Sequence, residues 1–274
     1  MHLRLAPVAA LMAWRFGCPL DVFLHGVEAW GGLNLLQRQS LQWATSFSAN
    51  SRYTLQRFQL AHPEFANRES MVISLGLNEE FVVAPLVKHP VLSKVRRYFL
   101  SVTRYAETYK GEGTLLEAFQ SVHATHPDVH LICAGDGPTR CSLEEKARSM
   151  GIGDFVHFVG RVSDGELAGL YAHTLGFVLL SEGEGFGIVF LEAMYHGKPC
   201  IASNVDAAQE IVLEGQTGLL VPPGDVSGTA RAMMRLLQES SFVEKLGNAG
   251  RQLVVASHMP VHFQERLREH FRNE

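Results

Sequence analysis

Long apolar runs are missing from this chain: no stretch of its 274 residues keeps the roughly 20 consecutive apolar residues that a membrane-spanning helix needs. Cysteine is scarce, and Cys18, Cys133, Cys141 and Cys200 stand far apart with no Cys-x-x-Cys pair. That spacing argues against a zinc site or a disulfide frame, and Cys133 and Cys200 lie in apolar runs of the kind that buried strands show, as in a reducing, cytoplasmic compartment. A basic excess is absent too. The formal charge of −4 disfavours a nucleic-acid binder, which ordinarily presents a basic face. No GxxxxGK[ST] phosphate loop occurs, no GxGxxG opens the first helix of either half, and no Asp-x-Asp pair exists. Phosphate-loop hydrolases, hydride transfer and a two-carboxylate metal site for a diphosphate are thereby disfavoured.

What is present is ordinary for a globular protein, with 46% hydrophobic and 19% charged residues. The length suits one large or two ordinary domains. Residues 3–14 imitate a signal peptide, with Arg4 as the positive flank, but Pro7 interrupts them, Arg15 closes them and no A-x-A cleavage site follows. An amphipathic helix feeding a strand accounts for them better. The first 60 residues carry five arginines (Arg4, Arg15, Arg38, Arg52, Arg57) against Asp21 and Glu28. Peripheral contact with an anionic membrane would gain about 1 kcal/mol per well-placed cation. A solvated surface with chance asymmetry is the plainer account.

Strand and helix patterns alternate almost throughout. Strands are expected at 21–25, 45–48 and 71–75, with helices at 3–16, 33–44 and from Ser51, a plausible N-cap, to about 61. Residues 81–96, broken by Pro85 and Pro90, read as a linker. Six further strands follow, at 98–102, 129–134, 155–159, 176–180, 199–202 and 217–221, with helices between them. Several are continuously apolar, as strands of a parallel sheet covered on both faces must be. Two helices, 242–256 and 261–272, have no strand after them. The expected layout is a partial first domain over 1–80, the linker over 81–96, a complete doubly wound domain over 97–257 and a closing helix over 258–274. Three strands in the first part would leave a sheet edge unpaired, which is unfavourable.

In an open α/β sheet, ligands bind beyond the carboxyl ends of the strands. The richest loop there is SEGEGFGIVFLEAM, residues 181–194. It passes Gly183, Gly185 and Gly187 before a helix, whose N-terminal amides and dipole favour an anion. Glu184 and Glu192 in such a place make sense as acceptors for sugar or ribose hydroxyls. Arg104 and Lys110, with Gly111 after them, could hold a diphosphate and stabilise a leaving group. Gly135-Asp136-Gly137-Pro138 is a tight turn. Gly160-Arg161-Val162 could offer backbone contacts to a base, and His25-Gly26 ends a first-domain strand. Each has a plainer reading when taken alone: a capped glycine loop, solvated cations, a turn, a structural histidine.

Together these segments resemble the family 4 retaining glycosyltransferases, also called glycosyl transferases group 1. The likeness rests on EGFGIVFLEAM (184–194), which carries a Glu-x7-Glu signature, and on Arg104 with Lys110. AGDGP (134–138), HFVGRVSDGELAGLY (157–171), TGLLVPPGD (217–225), LHGVEAW (24–30) and SANSRYT (48–54) support it. The resemblance implies an α/β chain of GT-B architecture, two Rossmann-like domains with the N-terminal one incomplete and the C-terminal one complete. It implies a nucleotide sugar as donor substrate, no metal and no cofactor, and a glycan or lipid-linked acceptor in cell-surface polysaccharide assembly. By that resemblance Arg104 and Lys110 hold the diphosphate, Glu192 the ribose hydroxyls, and amides around Gly185, Phe186, Gly187, Ile188 and Val189 the phosphates. Gly135, Asp136 and Val162 complete the donor site. Glu184 and His25 meet the transferred sugar, and Glu184, His25, Arg104 and Lys110 form the catalytic set.

Departures from the family pattern are Thr103 where a glycine is usual, Ala207-Ala208 where paired glycines are usual, and a start after the opening strand and glycine-rich loop of the first domain. The last leaves a second expectation open, a truncated, inactive nucleotide-sugar-binding remnant or partner subunit. A sugar-nucleotide epimerase or phosphorylase of the same architecture is not expected to carry EGFG and LEAM together with this closing helix.

Overall fold

The computed structural model describes residues 3–106 and 108–272, without the side chains of Arg4 and Thr108. Two compact units form, one of Met1–Gly76, Gly183–Phe186 and Val261–Glu274, the other of Leu77–Glu182 and Gly187–Pro260.

The first unit opens with helix α1 (Ala6–Phe16). Pro7 falls in its first turn, where a missing N–H costs nothing, and Gly17 closes it in the left-handed conformation. Strand β1 (Asp21–Leu24), the short helix α2 (Val27–Trp30) and helix α3 (Leu35–Leu41) follow. A capping box between Asn34 and Gln37 starts α3. Strand β2 (Ser46–Ala49) leads to α4 (Arg52–Ala61), whose N-cap Ser51 accepts the Thr54 amide, and then to β3 (Glu69–Val72). The three strands are parallel in the order β1-β2-β3. Val22, Leu24, Phe47, Phe58 and Phe65 pack with Ala6, Ala10 and Ala13 of α1 in one core. The opposite side of α1 exposes Val8, Leu11, Met12, Trp14 and Phe16. β3 begins two residues before its apolar run suggests. It is paired on one side by β2, so its limits follow the length of β2.

The second unit contains α5 (Glu79–Val83), β4 (Arg97–Val102), α6 (Glu112–Thr125), β5 (Val129–Ala134), α7 (Arg140–Ser149), β6 (Val156–Gly160), α8 (Asp164–His173), β7 (Gly176–Leu179), α9 (Ile188–Tyr195), β8 (Cys200–Ser203), β9 (Gly218–Val221), α10 (Val226–Gln238) and α11 (Ser240–Ser257). Its six strands are parallel in the order β6-β5-β4-β7-β8-β9. β7 and β8 are buried at every position, which is why they read as continuous apolar runs. The strand order reverses between β4 and β7, the place where doubly wound sheets collect ligands. Residues 81–96 are part of this unit: Phe81, Leu92 and Val95 are buried, and the Val87 amide donates to the Gly165 carbonyl at 2.9 Å. The helix expected between the strands at 199–202 and 217–221 shrinks to a 3-10 turn, Ala207–Glu210. The Thr217 hydroxyl takes the Leu213 amide at 2.9 Å and closes the chain there.

Helix α12 (Pro260–Arg272) ends the chain, and the first unit holds all of it after Pro260. Arg266 Nε donates to the Ser74 carbonyl at 3.0 Å. Nearer the end, His270 Nε2 lies 3.7 Å from Asp21 Oδ1, both side chains being 8% exposed. Ser46 and Ser48 donate to the same Asp21 oxygen at 2.8 and 3.1 Å. A carboxylate buried this deeply depends on such partners. His270→Ala should therefore cost the first unit about 1 kcal/mol or more. Faster amide hydrogen exchange across α12 and β1 is the expected sign, and unchanged protection would refute it.

Candidate functional site

The loops that leave β4, β5, β6 and β7 interlock at the carboxyl end of the second unit's sheet. The Thr103 amide donates to the Ala134 carbonyl at 3.1 Å, and the Gly135 amide to the Gly160 carbonyl at 2.8 Å. A Cβ at Gly135, where φ is 120°, would overlap the Thr103 carbonyl oxygen. Only glycine lets these two backbones approach so closely. Thr139 donates its amide and its hydroxyl to the Tyr105 carbonyl at 3.0 and 2.9 Å. On the other flank, Gly111 has φ 75° and would overlap Leu180 if it carried a Cβ, while the Glu182 amide donates to the Tyr109 carbonyl at 2.8 Å. The loop after β4 is thus clamped from both sides, beside the point where the strand order reverses. It carries Arg104, which is exposed, and Lys110, which is half-buried with Nζ 4.9 Å from the Tyr109 ring centre. Asp136 is exposed at the next loop, its Oδ1 accepting the Gly137 amide at 2.9 Å. Val162 is half-buried and directly precedes the capping box of Ser163 and Glu166 that starts α8.

Helix α9 begins without a side-chain cap. Its N-cap is Gly187, at φ 90°, and its first turn holds no acid. The leading amides, at Ile188 and Val189, keep the partial positive charge of a helix N-terminus. One and a half turns on, the half-buried Glu192 accepts the Tyr171 hydroxyl at Oε2, 2.9 Å away. Desolvation pushes the Glu192 carboxyl up to about 7, the nearby Asp164 adds to the rise, and the Tyr171 hydrogen bond opposes it. His196, stacked on Tyr171, is held down at about 4, chiefly by burial and then by Lys198 and Arg251.

The first unit holds the remaining candidates. His25 follows β1 and is exposed; its amide donates to Glu28 Oε1 at 2.7 Å, and its carbonyl accepts Asn50 Nδ2 at 2.7 Å. The Gly185 carbonyl accepts the Ser51 hydroxyl at 2.7 Å and the Thr54 hydroxyl at 3.0 Å. These bonds fix the segment 183–186, with Glu184 half-buried and Phe186 buried. His25, Glu184, Gly185 and Phe186 therefore belong to the first unit. Arg104, Lys110, Gly135, Asp136, Val162, Gly187, Ile188, Val189 and Glu192 belong to the second. Ser51 was legible as a helix N-cap and Thr54 only as the end of SANSRYT, and nothing in their spacing announced a second partner. Tyr171 closes the HFVGRVSDGELAGLY segment and likewise gave no separate signal. Among the described residues, no group of three or more His, Cys, Asp or Glu is placed to hold a metal ion, and no helix is long and apolar enough to cross a membrane.

Two cations, an uncapped helix N-terminus and a carboxylate acceptor make a set that suits phosphate oxygens on one side and hydroxyls on the other. Glu112, just inside α6, fits that set poorly. It is 9% exposed, and its Oε1 has no hydrogen-bond partner among the described residues. Burial raises its carboxyl above the ordinary range, with Lys110 pulling the other way.

The family described as glycosyl transferases group 1 matches residues 87–253. The chain is 31% identical over 169 residues to N-acetyl-alpha-D-glucosaminyl L-malate synthase of Bacillus anthracis, covering 62% of this chain and 43% of that protein. It is 34% identical over 196 residues to phosphatidyl-myo-inositol mannosyltransferase of Mycobacterium leprae, covering 70% of this chain and 50% of that protein. The chain thus spans about half the length of the curated relatives it matches. Among solved structures, Anabaena HepE in complex with UDP-glucose superposes with a TM-score of 0.83 at 20% identity, over 99% of this chain and 77% of that one. That likeness shows the fold class, GT-B.

Glu112 yields a pH-dependent prediction. Its carboxyl titrates above the unfolded value, so it is no burden below the ordinary carboxylate range. Stability is lost as the pH rises from there through the raised value. Glu112→Leu should raise the melting temperature at pH 7 by about 2–4 °C, what roughly 1 kcal/mol is worth in a domain of this size. The gain should shrink on acidification. A lower melting temperature, or a gain indifferent to pH, would contradict this.

Proposed function

Since the chain belongs to the glycosyl transferases group 1 family, we propose that its second unit binds a nucleoside-diphosphate sugar and that the protein moves this sugar to a glycan or lipid-linked acceptor in cell-surface polysaccharide assembly. One observation carries the reading: Arg104, Lys110, the uncapped start of α9 and Glu192 all occupy the carboxyl-end loops and the following helix beside the strand-order reversal. In this reading Arg104, Lys110 and the amides of Gly187, Ile188 and Val189 grip the diphosphate. Glu192 accepts the ribose hydroxyls, while Gly135, Asp136 and Val162 border the nucleoside.

The chemistry follows from where charge builds up. The bond from the sugar's anomeric carbon to the phosphate oxygen breaks, its electron pair stays on that oxygen, and the two cations offset the growing negative charge. The acceptor hydroxyl attacks on the face the phosphate leaves, which retains configuration, and its proton passes to the departing phosphate. Glu184 and His25 are assigned to the transferred sugar. The role assigned to the chain's own groups is electrostatic and orienting, with no cofactor in the scheme. Peripheral binding to an anionic membrane belongs to the same proposal, supported by Arg15 beside the exposed Leu11, Met12, Trp14 and Phe16 of α1.

Calorimetric titration with UDP and with GDP tests the donor site. Glu192→Ala should weaken the nucleotide that binds by more than about 1.5 kcal/mol, the low end for losing a hydrogen bond to a charged group. Equal affinity would remove the ribose assignment. Lys110→Ala should weaken the nucleoside diphosphate more than the monophosphate. Loss of the two in equal measure would contradict a role at the diphosphate.

A further inference from the structure

Tyr171 stands in α8, one strand and one loop before Glu192, and is fully buried. Its ring is closed in by Phe177 at 5.7 Å, by Phe81 edge-on at 6.1 Å, and by His196, stacked at 6.1 Å with 7° between the planes. A phenylalanine would fill the same space and bring no polar atom to satisfy. A buried hydroxyl without a partner is costly, so the side chain is tolerated only because its oxygen meets Glu192 Oε2 at 2.9 Å. The aromatic neighbours fix the ring, the ring fixes the hydroxyl, and the hydroxyl fixes one oxygen of the carboxyl group. Oε1 of Glu192 has no hydrogen bond among the described residues. Because a carboxyl group is planar, holding one oxygen sets the direction of the other.

We propose that Tyr171 is a positioning residue for Glu192, holding one carboxylate oxygen so that the other accepts the hydroxyls of a bound nucleoside. The proposal rests on the donor reading of the second unit. It assigns the phenol a second consequence. Donation to the carboxylate favours the ionised form, against desolvation and against Asp164, which both favour the protonated one. The titratable groups that touch the pair directly are uncharged at pH 7. The Tyr171 phenol and the Cys200 thiol are raised by burial, and His196 is lowered by burial and by the charges of Lys198 and Arg251. Glu192 is therefore the group that titrates, and a protonated carboxyl is the poorer acceptor for two hydroxyls.

The test is a calorimetric titration of the full chain with UDP and with GDP between pH 5.5 and pH 8.5 (roughly one and a half units either side of the value near 7), for the wild type, Tyr171→Phe, Glu192→Gln and the double variant. Wild-type affinity should fall as the pH drops through about 7. Tyr171→Phe should keep its fold, bind roughly tenfold more weakly at pH 7, the low end for losing a hydrogen bond to a charged group, and begin its acid fall at higher pH. In the Glu192→Gln background only the pH dependence set by the ligand's own terminal phosphate, which titrates at about 6, should remain, and Tyr171→Phe should have no further effect. Tyr171→Phe binding as the wild type does, with the same pH profile, would overturn the proposal. So would full additivity of the two substitutions, which would mean that Tyr171 acts through packing. A wild-type chain binding neither nucleotide would be a different failure, since it removes the donor reading and the positioning role together.

Discussion

Close backbone approach at the carboxyl ends of β4, β5 and β7 is the constraint on which the second unit's site depends. Parallel strands deliver their loops to one edge of the sheet, but they do not by themselves hold those loops still. Here Gly135 lies against Thr103 and Gly111 against Leu180, at separations that leave no room for a Cβ. Amide-to-carbonyl bonds from Thr103, Gly135, Thr139 and Glu182 tie the loops across one another. The clamp has a functional consequence through placement: Arg104 and Lys110 are carried on a segment whose two flanks cannot shift independently. A site that holds an anion gains from such preorganisation, because little reorganisation remains to be done when the charge arrives.

Electrostatics then divides the labour within the same unit. The start of α9 is left uncapped and without an acid, so its partial positive charge is available to an anion. Glu192 sits later on that helix in a desolvated place, where its carboxyl is pushed to about 7. A fully ionised acid at the helix start would compete with a phosphate for the same amides. Set back along the helix, it can read hydroxyls instead. The aromatic packing of Tyr171, Phe177, Phe81 and His196 links this acid to the core, so the core's rigidity reaches a polar group at the surface of the site.

Much of the architecture was legible because burial on both faces leaves an unmistakable trace. β5, β7 and β8 read as apolar runs, and the alternation of strand and helix led to the doubly wound sheet. The short helices α2 and α5 were not legible, since four or five residues are too few to show a helical period. β3 was misplaced by two residues because its limits are set by its neighbour. The loops bearing Arg104, Lys110 and Gly135, and the helix bearing Glu192, stood out from strand ends and glycines. What could not be found was tertiary: that 183–186 is tied to Ser51 and Thr54, and that a tyrosine 21 residues upstream holds the Glu192 carboxyl. Neither contact has a local signature, since each joins segments that only folding brings together. The buried Glu112 is the opposite case, a charged residue whose position inside a helix start gives no hint that it is buried.

The central claim is that one clamped set of loops in the second unit holds a nucleoside diphosphate. Mapping backbone amide NMR shifts during titration with UDP and with GDP tests it most directly. The account predicts that, for the nucleotide that binds, the largest shifts fall in residues 103–106, 108–111, 135–138 and 187–192. Saturable shifts confined to other segments, with these loops unmoved, would contradict it.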